Sequence, residues 1–149
     1  MRELLRKPEP VSEESVRRYR QRLRNPQWKE LEQHFNQAIP KAIKGLYERT
    51  EIIARKDIEV SNGEGATYHI AEFLPADLET LDTVWDDVKK SQNFPFGTDS
   101  VGDCYFVPLN DKSEECPVMC YHHDGSDFEL VSSSLENFLD GIGKLGNSR

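Results

Sequence analysis

The fold is decided by residues 94–139, which read FPFGTDSVGDCYFVPLNDKSEECPVMCYHHDGSDFELVSSSLENFL. After a Pro-Phe-Gly turn and a polar turn over 98–103, three runs rich in β-branched and aromatic residues follow one another, separated by turn residues. Strands of this composition joined by short turns favour an antiparallel arrangement. The runs predict strands near residues 104–109, 117–122 and 128–131.

The same stretch ends in a pattern typical of a short helix. Ser133 and Glu136 have the spacing of a capping box, in which each side chain bonds the other residue's backbone N–H. An apolar stripe with helical spacing follows and ends near Gly143, and glycine is a common helix stop. We therefore predict a helix over 133–142, packed on one face of the sheet. Its stripe consists of Leu135, Phe138, Leu139 and Ile142.

Helical patterns come first in the chain. Ser12 is predicted to cap a helix with Ser15 as its partner, and Asn25-Pro26 is predicted to end that helix and cap the next one. The second helix has an apolar stripe from Trp28 to Ile39.

The period of the apolar residues then changes. Ile52-Ile53 and residues 58–60 are predicted as strand pieces, and residues 67–72 as a return strand after the Asn62-Gly63 turn. A further helix, capped by Asp77, interrupts the strands.

This order of elements predicts an α+β fold with a mainly antiparallel sheet flanked by helices. A chain of 149 residues fits a single domain. Within it we distinguish an N-terminal arm and basic helix, residues 1–25, from an α+β domain over residues 26–149.

The composition favours a protein partner over nucleic acid or membrane. The formal net charge is −8, although residues 1–30 hold nine Lys/Arg against five Glu. Nucleic-acid binding relies on lysines and arginines that neutralise phosphates, so an acidic body disfavours it and favours a basic partner. Acidity that serves only solubility is the alternative. No apolar run approaches the ~18 residues of a membrane span, and the start lacks a signal-peptide pattern, so we expect a cytoplasmic protein.

The cysteines do not have the spacing of a metal site. Cys104, Cys116 and Cys120 are an odd number in a chain without an export signal, which predicts free thiols. Cys116, Cys120 and His122 would share one face of a strand, but strand positions four apart lie about 13 Å apart. Ligands of one tetrahedral zinc must lie much closer together. We predict no metal and no cofactor.

No pattern predicts catalysis. His122-His123-Asp124 could serve acid–base chemistry, but a hairpin turn explains these residues, and no nucleophile or oxyanion donor accompanies them. The glycines of residues 97–102 lack the lysine of a phosphate-binding loop, and two aspartates would repel phosphate. The sequence therefore predicts a protein that is not an enzyme.

Residues 17–24 hold five arginines in eight positions. This cluster could contact RNA or lipid headgroups, but its apolar stripe is too thin for an interfacial helix. A solvated basic helix that lies against the protein's own acidic body is the favoured interpretation.

The order of Pro-Phe-Gly turn, strand, strand, Asp-Gly turn, strand and Ser-x-x-Glu helix resembles the C-terminal half of the SUKH superfamily. That superfamily includes many bacterial toxin-immunity proteins and a fungal cell-wall-synthesis regulator. The similarity covers about residues 28–142. Its most specific parts are Phe96-Gly97, Gly102-Asp103 and residues 133–139.

The resemblance implies an immunity protein that holds a cognate polymorphic toxin, often a nuclease with a basic substrate site, in an inactive complex. The alternative is a regulatory scaffold domain that binds signalling or cell-envelope proteins. In the first case the acidic loops would contact the basic toxin, and aromatic side chains would anchor it. The candidate partner-binding residues are Asp99, Asp103, Asp111, Glu114, Glu115, Asp124 and Asp127, with Tyr105 and Tyr121 as candidate anchors, although a core position is favoured for both tyrosines.

Overall fold

A computed structural model describes residues 12–62, 65–110 and 115–146, where seven helices and six strands alternate along the chain. The helices are α1 (Glu13–Arg24), α2 (Trp28–Phe35), α3 (Lys41–Glu48), α4 (Thr50–Ile53), α5 (Leu78–Thr83), α6 (Asp86–Lys89) and α7 (Leu135–Gly146). The strands are β1 (Lys56–Ser61), β2 (Thr67–Phe73), β3 (Asn93–Thr98), β4 (Cys104–Pro108), β5 (Val118–His122) and β6 (Asp127–Ser132).

The six strands form one curled antiparallel sheet in which sequence neighbours are also spatial neighbours, from β1 to β6. The predicted α+β class, the single domain and the antiparallel meander are therefore confirmed. The β3–β4 register shifts between Pro95 and Gly97. Since proline cannot donate to a ladder, a shift of this kind lets it lie within a central strand.

The sheet separates two apolar clusters of unequal size. Along β4 the side chains alternate between them: Tyr105 and Val107 belong to the large cluster, and Cys104 and Phe106 to the small one. The large cluster includes buried residues of α1 to α4 and α7, whereas the small one has Val88 of α6 as its buried helical residue. In the described part of the chain, the second face of the sheet is therefore covered only by this short helix.

The capping of α7 differs by one residue from the prediction. The Ser134 hydroxyl, rather than that of Ser133, accepts the backbone N–H of Asn137 at 3.0 Å, and the helix begins at Leu135. It continues past Gly143 to Gly146. All four residues of the predicted apolar stripe are buried in the large cluster, so the docking of this helix is confirmed.

Three other local predictions are wrong. Ile52-Ile53 belongs to helix α4 instead of a strand, because backbone bonds to Arg49 and Thr50 continue a helical turn there. Asn25 ends α1, and α2 begins only at Trp28. The Pro-Phe-Gly segment lies within strand β3 rather than in a turn, because it pairs with β4.

Helix α1 is held against the body of the protein. The Arg22 guanidinium donates two hydrogen bonds to Asp77, at 2.8 and 2.9 Å, and Arg18 donates two to Glu79. Leu23 is part of the large cluster. The basic helix thus lies against acidic residues, as the sequence pattern indicated.

No helix among the described residues is both long and apolar enough to cross a lipid bilayer.

Candidate functional site

The turn between β3 and β4 is shaped by Asp99. Its carboxylate accepts the backbone N–H of Val101 at 3.0 Å and that of Asp103 at 2.8 Å. Gly102 has a φ of +94°, a conformation that glycine adopts without steric cost. The predicted polar turn is therefore present, and the Asp99 carboxylate is engaged in hydrogen bonds within it.

Asp103 is not on the surface. Only 8% of the residue is exposed, so the predicted surface exposure of this side chain is wrong, although the residue does lie in the predicted turn. Its carboxylate lies between two histidines: Oδ2 is 2.9 Å from His122 Nδ1, and Oδ1 is 3.2 Å from His123 Nδ1. Oδ1 also accepts the backbone N–H of His123. The free-energy cost of burying this carboxylate is offset because these hydrogen bonds replace those that it would make with water.

His122 is the centre of a hydrogen-bonded network. Its other ring nitrogen, Nε2, lies 2.7 Å from Oε1 of Glu129, and Tyr68 donates its hydroxyl to Oε2 of the same carboxylate. The hydrogen bonds with Glu129 and Asp103 raise the pKa of His122, and the bonds from His122 and Tyr68 lower the pKa of Glu129. This network joins β2, β5 and β6 with the turn that precedes β4.

The pKa of His122 predicts how a Glu129→Gln substitution affects stability. A raised folded-state pKa means that the protonated imidazole stabilises the native protein below the ordinary pKa of about 6.5. This contribution is lost as the pH rises through the raised value. Glu129→Gln should therefore destabilise the protein more at pH 6 than at pH 9. Urea unfolding at both pH values measures the difference, and an equal loss at each would contradict the ion pair.

Trp85 connects the inserted helices to this end of the sheet. Its indole N–H donates to the Gly102 carbonyl at 2.8 Å, and its ring stacks on His123 with centroids 4.8 Å apart and planes 7° from parallel. Even so, 46% of Trp85 is exposed. The residue is held in place and also faces solvent.

Two apolar residues of the edge strand β6 are also exposed. Phe128 is 47% and Leu130 60% exposed, on the face of the sheet that α6 covers in part. The Phe128 ring contacts Tyr121, with centroids 5.2 Å apart, and Tyr121 lies 6.5 Å from the Trp85 ring. We call Trp85, Phe128 and Leu130, together with Asp124 and Asp127 of the β5–β6 hairpin, the β6 patch.

The other predicted contacts have different surroundings. Asp124, Asp127 and Glu115 are exposed. Asp111 and Glu114 lie outside the described residues. Both candidate anchors are buried, as the sequence interpretation favoured: the Tyr105 hydroxyl donates to the His69 carbonyl, and that of Tyr121 to the Asp87 carboxylate. Among the residues that the structure describes, Trp85 and Phe128 are the exposed aromatic ones, and the sequence pattern did not single them out.

One group of side chains has the composition of a metal site. The donor atoms of Asp103, Cys120 and His122 all lie within 4.8 Å of one another, whereas Cys116 is not in the group. Burial raises the pKa of the Cys120 thiol, which opposes the thiolate that a metal binds. The two ring nitrogens of His122 already lie against carboxylates. The absence of a bound metal stays a prediction.

Cys120 and Tyr121 present no exposed thiol or hydroxyl group. The Cys120 thiol is buried, and the Tyr121 hydroxyl already donates to Asp87. The β6 patch, in contrast, has exposed aromatic and aliphatic side chains beside carboxylates. Aromatic residues are enriched at the centres of protein interfaces and charged groups at their rims.

The fold and the site define an α+β domain with a meander sheet and a surface suited to a protein partner. Residues 22–141 match the model of the SMI1 / KNR4 family (SUKH-1). This match spans most of the chain, which therefore belongs to the SMI1 / KNR4 (SUKH-1) family. The family is generally non-catalytic, and membership in it is consistent with an immunity-type or a regulatory domain. No curated protein and no solved structure matches the chain significantly.

Proposed function

We propose that the protein is a non-enzymatic, cytoplasmic immunity-type domain that binds and neutralises a basic cognate toxin through the β6 patch. The observation that supports this proposal is the patch itself. Trp85, Phe128 and Leu130 are 46%, 47% and 60% exposed, and the β5–β6 hairpin that carries Phe128 also carries the exposed Asp124 and Asp127. Solvated apolar groups of this size favour burial against a partner.

The aspartates determine the kind of partner. Asp124 and Asp127 lie in and directly after the turn between β5 and β6, and the chain has a net charge of −8. An acidic surface attracts a basic protein and repels nucleic acid. Asp99, Asp111, Glu114 and Glu115 are proposed as further rim contacts. Asp103 is proposed to act indirectly, because it bonds His123, whose ring stacks on Trp85 of the patch.

The first experiment identifies the partner. The tagged protein is used to capture binding proteins from the source cells, and a Phe128→Ser/Leu130→Ser variant is used in parallel. Leu78→Ser, which alters an exposed apolar residue on α5, is the control. The toxin expected from the proposal is basic, is captured by the wild type and the control, and is lost with the double variant. It should also stop cell growth unless the protein is co-expressed. A captured partner that is harmless to cells would refute neutralisation and favour the regulatory scaffold.

The second experiment tests electrostatic steering by stopped-flow association with the captured partner. Asp124→Lys/Asp127→Lys should slow association about tenfold at low salt, within the range of steering effects. Glu136→Lys/Asp140→Lys makes the same change of charge on exposed positions of α7 and should have a much smaller effect. The rate for the wild type should fall with added salt, since exposed charges are screened within about 8 Å at physiological ionic strength. Equal rates for the two variants would refute a role for the β6 patch aspartates.

A further inference from the structure

Helix α1 divides its arginines between two faces. Arg18 and Arg22, four residues apart, turn toward α5 and bond Glu79 and Asp77. Arg17, Arg20 and Arg24 lie on the exposed side of the helix. Within residues 12–62, 65–110 and 115–146, no carboxylate lies within 4 Å of these three guanidinium groups. The ion pairs to α5 fix the helix in an orientation that presents Arg17, Arg20 and Arg24 to solvent, without an ion pair to any described residue.

Two of these arginines border a groove between α1 and α4. The groove has a volume of about 140 Å³ and is lined by Arg20, Leu23, Arg24, Thr50, Ile53 and Ala54. Leu23 and Ile53 are buried and form an apolar floor. A cavity of about this size holds a benzene-sized group. The groove can therefore accept one apolar side chain, with guanidinium groups at its border.

A wider concave surface adjoins this groove along the helix. It shares Arg20 and Arg24 with the groove and adds Arg17, with one carboxylate, Glu13, at its far end. Three arginines at successive helical turns thus follow one line from the groove outward. Guanidinium groups bind carboxylates through paired, charge-assisted hydrogen bonds.

We propose that this arginine groove binds a short acidic peptide segment of a partner protein. One apolar side chain of the segment lies over Leu23 and Ile53, and its carboxylates pair with Arg17, Arg20 and Arg24. The groove shares no residue with the β6 patch and selects the opposite charge. The protein then has two binding surfaces, one for a basic partner and one for an acidic segment.

The chain's own charge and helix packing favour a peptide over the other anions. A nucleic acid or an anionic bilayer would extend beyond the groove over a molecule with a net charge of −8, which would repel it. The residues that line the groove include no aromatic ring on which bases could stack. Leu23 of α1 is directed into the core and Tyr19 donates to the Phe73 carbonyl, so these side chains are not available for insertion into lipid.

A titration of the full ¹⁵N-labelled chain tests the proposal. The probe is a synthetic peptide that alternates Asp-Glu pairs with leucine, and the control peptide has lysine at each acidic position. We expect the acidic peptide to shift the backbone amides of residues 20–24 and 50–54, and the lysine peptide to leave them unchanged. Arg20→Glu/Arg24→Glu should raise the Kd at least about tenfold, because two charge-assisted contacts are lost. Lys29→Glu/Lys41→Glu changes the net charge equally on exposed positions outside the groove and should alter the Kd less than about threefold.

Several results would overturn the proposal. These are equal binding of the two peptides, an unchanged Kd for the arginine variant, or tighter binding of single-stranded RNA or phosphatidylserine vesicles than of the acidic peptide. If circular dichroism shows that Arg20→Glu/Arg24→Glu does not fold, Arg20→Gln/Arg24→Gln is measured in its place. Asp124→Lys/Asp127→Lys should leave peptide binding intact, so failure of the toxin hypothesis is distinguished from failure of this one.

Discussion

Replacement of Phe138 by alanine is expected to lower the free energy of unfolding by about 3–5 kcal/mol, the usual loss for a buried phenylalanine. The residue is fully buried on α7. Its ring lies 5.9 Å from those of Phe96 and Tyr105, so it connects the closing helix to β3 and β4. The substitution would leave a cavity at this three-way contact, and aromatic pair interactions would be lost as well.

Urea denaturation of the wild type and of Phe138→Ala measures this loss. Phe128→Ala is the matched control, since it removes the same atoms from a side chain that is half exposed on β6. The control should cost much less, because a surface position leaves no closed cavity. Similar losses for the two variants would mean that α7 is not docked on the sheet. A domain of this size has about 5–15 kcal/mol of stability in total, so the buried substitution should also lower the Tm strongly.

The strands of the C-terminal half were predictable because local signals agree with one another. Residues 104–109 and 117–122 have strand composition, and the polar turns that bound them are also local in sequence. The stripe of α7 has helical spacing, and the buried side of that helix follows from it. Such features depend on short stretches of chain, which explains why sequence patterns report them well.

The site was less predictable because it depends on strand register. Asp103 and His122 are 19 residues apart in sequence, and they meet because Cys104 pairs with Tyr121 in the β4–β5 ladder. A shift of one residue would turn the His122 side chain to the other face of the sheet. The sequence indicates that both residues lie near turns, but it does not report that pairing. For this reason Asp103 had been expected on the surface.

The exposed apolar residues of β6 illustrate a second limit. Phe128 and Leu130 alternate with Glu129 and Val131, and hydrophobicity alone would direct the phenylalanine and leucine inward. The structure has the opposite arrangement, with Val131 in the large cluster. Among the described residues, the face with Phe128 and Leu130 receives only the short helix α6 as cover, and helix placement is a tertiary property. An apolar residue on an edge strand therefore becomes a candidate for partner binding when the structure shows that helices leave it exposed.

Gly141→Ala is expected to destabilise the protein by about 1–3 kcal/mol, the range for overpacking of a close contact. A Cβ atom at this position of α7 would lie 2.3 Å from the Ser61 carbonyl oxygen and 3.1 Å from the Ser61 nitrogen. Both contacts are with the backbone of β1, so no side chain can rotate away to relieve them. The helix would have to move from the strand, and the apolar contacts of Ile142 with the core would loosen.

Helix propensity alone makes the opposite prediction for this substitution, because alanine is favoured over glycine in a helix by about 1 kcal/mol. Gly45 in α3 separates the two effects: a Cβ there has no neighbour within 4 Å. Gly45→Ala should therefore stabilise the protein by up to about 1 kcal/mol, while Gly141→Ala destabilises it. Thermal and urea unfolding of both variants measure this difference in sign. Stabilisation by both substitutions would mean that α7 does not approach β1 closely. The contact between Gly141 and the Ser61 backbone, which closes the large core at this edge, would then be refuted.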